Sequence, residues 1–142
     1  MVTIELTVDI AAPAEATWHA ATSWTRQGEW MLGTRVWVSA GTGNRVGDGL
    51  SAFTGVGPLG FLDTMVITRW EPPHVCDVDH TGRLIKGTGR FEVQPTATGS
   101  RLLWWEDLEL PYGVLGRLAY ALGGAGFRWA VRRSLVRFAR WT

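Results

Sequence analysis

From Thr3 to Ile10, the apolar residues Ile4, Leu6, Val8 and Ile10 alternate with Thr3, Glu5, Thr7 and Asp9, the period-two pattern of a strand with one buried face. Pro13 follows, where a first helical turn tolerates a missing N–H. Glu15 falls in that turn, where the helix dipole favours an anion, and Ala14, Ala16, Ala20 and Ala21 favour helix. A helix is therefore predicted over 13–21. Thr22 and Ser23 offer a new N-cap, but Ser23 to Trp30 is too short to be stable alone, so a brief second helix packed by Trp24 and Trp30 is predicted. Alternating or β-branched runs then occupy 34–40, 49–54, 61–70, 74–81, 84–94 and 100–110, separated by Gly, Pro and Asn, which predicts six more strands in an antiparallel meander. Pro111 closes it. Residues 112–140 read as a long helix with Leu115, Leu118, Leu122, Ala125 and Trp129 on one stripe. Gly123, Gly124 and Gly126 predict a kink or break within it.

Composition narrows this α+β pattern to one unit. A chain of 142 residues, 46% hydrophobic and 19% charged, fits a single domain, 1–142, that buries roughly two thirds of its unfolded surface. The net charge of +1 hides an asymmetry: residues 1–109 hold eight basic and thirteen acidic groups, net −5, whereas 110–142 hold six Arg and no acid. Cys76 is the single cysteine, which excludes an intramolecular disulfide, a CxxC pair and a thiolate zinc cluster, and predicts a reducing, cytoplasmic setting. The first residues lack the basic-then-apolar order of a signal peptide. The apolar run Leu118–Phe127 is about half the length that spans a bilayer, so no stable membrane insertion is expected.

Several pieces carry a resemblance: APAEATW at 12–18, SWTRQGEWM at 23–31, RVGDGL at 45–50, RWEPP at 69–73 and KGTGRFEV at 86–93. With the element order, they make the chain resemble the START-like, helix-grip fold of the SRPBCC superfamily, which includes polyketide cyclases and dehydrases and lipid-transfer domains. The resemblance implies a curved antiparallel sheet of about seven strands wrapped around a long C-terminal helix, with two short helices after strand one. It also implies an apolar cavity between sheet and helix that opens near those short helices.

Gly55-Val56-Gly57-Pro58-Leu59-Gly60 matches GxGxxG, but a dinucleotide site needs a helix directly after it and Phe61–Ile67 reads as a strand, so a hairpin loop is the better reading. His19, His74 and His80 have no i, i+4 pairing and there is no HExxH or GxSxG. No metal, no cofactor and no classical nucleophilic hydrolysis are expected. Nine tryptophans exceed what a core of this size needs, so some are candidate cavity walls. Alternation puts Glu106 on the face of Leu102, Trp104 and Leu108, Asp63 with Met65 and Ile67, and His80 with Cys76 and Val78. A carboxylate there requires either a partner, such as an Arg on a neighbouring strand, or a ligand contact.

The leading expectation is thus binding of a small hydrophobic molecule, lipid-like, aromatic or polyketide. Trp24, Trp30, Met31, Phe53, Met65, Trp104 and Leu122 would form apolar walls, and Asp63, His80 and Glu106 would orient a polar group, in a cavity above roughly 300 Å³. The resemblance also allows an enzyme of cyclase or dehydratase type, with Asp63, His80 or Glu106 as acid or base. A third reading is a regulatory or partner-binding module using the basic terminal helix. Its Arg residues fit a solvated face, or a weak peripheral membrane contact, better than nucleic acid, because no loop adds basic clusters. A monomer or a homodimer fits equally.

Overall fold

The structure, a computed structural model, describes residues 2–109 and 114–142, with the side chains of residues 2, 114–124 and 127 outside the description. Strand β1 (Val2–Ile10) leads into α1 (Ala14–Ala21) and a single 3₁₀ stretch, Trp24–Glu29. Six strands follow: β2 (Thr34–Ala40), β3 (Gly49–Val56), β4 (Leu59–Glu71), β5 (Val75–Thr81), β6 (Lys86–Thr96) and β7 (Gly99–Glu109). Helix α2 (Val114–Trp141) ends the chain. All seven strands form one antiparallel sheet in the order β1-β7-β6-β5-β4-β3-β2, so β1 closes against the last strand of the meander. This is the helix-grip architecture.

One sheet face is wet and the other packs the core, as the alternation requires. Ile4 and Ile10 of β1, Leu50 and Ala52 of β3, Ile67 of β4, Cys76 of β5, Val93 of β6 and Leu102 of β7 are all buried. A bulge between Ile67 and Arg69 resets the parity of β4. The next core contact after Ile67 is therefore Trp70, packed edge-on against Trp18 of α1 with ring centroids 5.1 Å apart. The GxGxxG run is the β3–β4 hairpin, with Gly57 at φ +59 in its turn, so no helix follows it to hold a phosphate.

Two expectations for α2 are corrected. The helix passes through Gly123, Gly124 and Gly126 without a break, because packing against the body offsets the roughly 1 kcal/mol that each Gly costs. Among its described residues, Val131, Ser134, Leu135 and Phe138 are buried, whereas Trp129 is 64% exposed. Two residues of helix turn through about 200°, so a helix that buries Val131 turns Trp129 outward. Ala125 is exposed as well, while Leu115, Leu118 and Leu122 lie outside the described side chains.

Candidate functional site

A cavity of about 190 Å³ lies between the sheet and α2 and opens to solvent. Its walls come from the 3₁₀ stretch (Trp24, Gln27), the following turn (Met31, Leu32), β2 to β7, and Ala130, Val131 and Ser134 of α2. Trp24 and Phe91 stack with centroids 6.5 Å apart, and Phe91 meets Trp104 edge-on at 5.4 Å, so one side is aromatic. Leu50, Ala52, Met65, Val78 and Leu108 make most of the rest apolar. The volume falls short of the expected 300 Å³. An apolar cavity of about 150 Å³ admits benzene, and this space is of that order.

Of the ten candidate residues, Trp24, Met31, Asp63, Met65, His80, Trp104 and Glu106 stand on this wall. Trp30 does not: it is fully buried behind the wall, packed on Phe138 at 4.7 Å and on Trp104 at 6.5 Å. Phe53 does not either, because Ala52 and Thr54 take the inward parity of β3, and Phe53 stacks outside under the Arg35 guanidinium, 5.5 Å from its ring. Leu122 falls outside the described side chains.

The three polar candidates converge on one another. His80 Nδ1 lies 2.8 and 3.1 Å from the two oxygens of Asp63, and its Nε2 lies 2.6 Å from Glu106 Oε2. Trp104 donates its indole N–H to Glu106 Oε1 at 2.9 Å. The expected arginine partner is thus a histidine and a tryptophan. Register explains the meeting. Met65 pairs with His80 across β4 and β5, so Asp63 stands diagonal to His80, within reach of long side chains. Glu106 is two strands from His80, roughly 10 Å at ordinary strand spacing. The intervening strand presents Gly87 opposite His80 and Gly89 opposite Glu106. A Cβ on Gly89 would sit 3.0 Å from Glu106 Oε2 and 3.2 Å from His80 Nε2, so the missing side chain is the gap through which the two touch. Sequence reasoning passed over these glycines; two at alternate positions on an inward strand face were the available signal.

A neutral imidazole donates from one nitrogen only, and here both nitrogens face carboxylate oxygens, an arrangement that suits the imidazolium. Burial opposes that charge, yet hydrogen bonds to Asp63 and Glu106, reinforced by their charges, push the His80 pKa from 6.5 up to about 10. In that form both N–H groups of His80 are directed at carboxylates. The carboxylates carry the cavity's open acceptors: their side chains are 14% and 16% exposed against 3% for His80. Asp, His and Glu are metal-ligand types, but both His80 nitrogens are taken, and no metal-holding group of three occurs among the described residues. Cys76 also lines the cavity, with burial, helped by Asp77, pushing its thiol up to about 12, so it is no thiolate nucleophile near neutrality.

A sequence model of the family described as polyketide cyclase / dehydrase and lipid transport matches residues 1–140. An uncharacterized protein of Mycobacterium tuberculosis, Rv1546, is 30% identical over 98% of this chain and 97% of its own length. The structure of TTHA0849 from Thermus thermophilus superposes with a TM-score of 0.81 at 15% identity, covering 98% of this chain and 95% of that one. The Zhui aromatase/cyclase from a Streptomyces species gives 0.79 at 13% identity, covering 97% and 91%. At such identities the solved structures speak for the fold alone. No helix among the described residues is long and apolar enough to cross a membrane.

Proposed function

Because the chain belongs to the polyketide cyclase/dehydrase and lipid transport family, within the SRPBCC superfamily, we propose that it binds a small apolar molecule of one or two rings between sheet and α2. Asp63 and Glu106 orient the ligand's polar group. The observation that carries this reading is an aromatic and aliphatic cavity whose other polar side chains are in large part engaged by the protein. Gln27 donates to Ala21 O, Thr34 to Leu32 O, Ser134 to Ala130 O, and Arg90 to both oxygens of Asp77. A few convergent polar atoms in an apolar space are the ordinary make-up of a ligand site. Native mass spectrometry of protein purified from its own host is the test: a co-purifying molecule of one or two rings supports it, and a long-chain lipid in the cavity overturns it.

A cyclase or dehydratase role is the second reading, favoured by the charged cluster inside the cavity. A carboxylate, Glu106 or Asp63, would remove an acidic proton from a polyketone while His80 held it in place. An enolate so formed needs a hydrogen-bond donor, which on the described wall would fall to the second amide N–H of Gln27. Alanine at Asp63, His80 and Glu106, assayed with a polyketide mimic, separates the two: unchanged turnover removes the acid/base role.

A further inference from the structure

The cluster has a sign. Two carboxylates around one imidazolium leave a net charge of −1, and no other described wall group offsets it. Cys76 of β5 is a neutral thiol, and Arg90 of β6 is cancelled by Asp77 at 2.6 and 2.9 Å. The 3₁₀ stretch and the described part of α2 bring no titratable group to the wall. The cluster also has a hydrogen-bonding sense. The two nitrogens of His80 and the indole N–H of Trp104 all point into the carboxylates. What remains toward the cavity is acceptor lone pairs on Asp63 and Glu106, each oxygen having two. The aromatic side of the same space, Trp24, Phe91 and Trp104, offers ring systems whose negative faces attract cations.

Resting on the binding reading above, we propose that the cavity selects its ligand by charge. It accepts a one- or two-ring molecule bearing a protonated amine, held by Asp63 and Glu106, and rejects the matching carboxylic acid. A carboxylate ligand would bring a second unpaired negative charge into an apolar space beside the cluster, whereas an ammonium group supplies the donors and the charge that the cluster lacks.

Calorimetric titration at pH 7 with three probes of one shape, 2-naphthylmethylamine, 2-naphthalenemethanol and 2-naphthoate, tests this. The amine is expected to bind about 10-fold tighter than the alcohol, as suits a charge-assisted hydrogen bond, and the acid to be the weakest. Glu106→Gln, which keeps the shape and removes one of the two carboxylates, should narrow the preference for amine over alcohol. Asp63→Asn provides the same comparison should the first variant fold poorly. If the acid binds as well as the amine, or the preference survives both substitutions undiminished, charge selection is overturned while the cavity reading stands. If none of the three probes binds, the cavity reading itself fails.

Discussion

At the scale of single residues, His80 couples folding to pH. Its pKa is near 6.5 in the unfolded chain and is raised to about 10 in the fold. The stabilisation is thus fully present below about 6.5 and is lost as pH rises toward 10, at about 1.4 kcal/mol per pH unit in that window. Urea unfolding of the wild-type protein should show this fall, and His80→Gln should flatten it. That variant leaves two buried carboxylates without their counter-charge and should also cost about 3–5 kcal/mol at pH 7. Gly89→Ala is expected to lose about 1–3 kcal/mol, because its methyl crowds the His80–Glu106 contact and must be absorbed by a packed neighbourhood. Alternation alone turned Asp63, His80 and Glu106 inward. It could not join them, because their meeting depends on register across four strands and on Gly87 and Gly89 between two of them.

At the scale of elements, strand positions were legible in the sequence to within about two residues, since each strand alternates on a sheet with one buried face. Helix α2 was less legible. Apolar residues stand on more than one of its sides, and the stripe through Ala125 and Trp129 competed with the one through Val131, Leu135 and Phe138 that the sheet buries. The difference is measurable: Phe138→Ala should cost about 3–5 kcal/mol, whereas Trp129→Ala should stay within about 0.5 kcal/mol of wild type. The β2–β3 connection has its own clip. Asp48 accepts the backbone N–H groups of Thr42 and Gly43, each at 2.9 Å, and Trp24 donates its indole N–H to Gly43 O at 2.7 Å. Asp48→Ala leaves those two N–H groups unpaired and should cost about 1–3 kcal/mol, read as a shift in urea midpoint at constant slope. Because Trp24 is also a cavity wall, the loop and the cavity are fastened by one side chain.

At the scale of the whole molecule, the sheet and α2 leave between them an open cavity of about 190 Å³. Trp30, expected on the wall, fills the interior behind it together with Phe138, and the volume left is what these large rings do not occupy. Such a remainder is not readable from a sequence, because it depends on which side chains collapse inward. The cavity, its aromatic side and its charged cluster together define the claim that a one- or two-ring molecule binds there. The direct test is calorimetric titration of the neutral probe 2-naphthalenemethanol into the wild-type protein and into Ala52→Phe, which plugs the cavity from β3. Saturable one-to-one binding to the wild-type protein, lost in a variant that still unfolds cooperatively, is the predicted result. No saturable binding, or equal binding to the plugged variant, would contradict it.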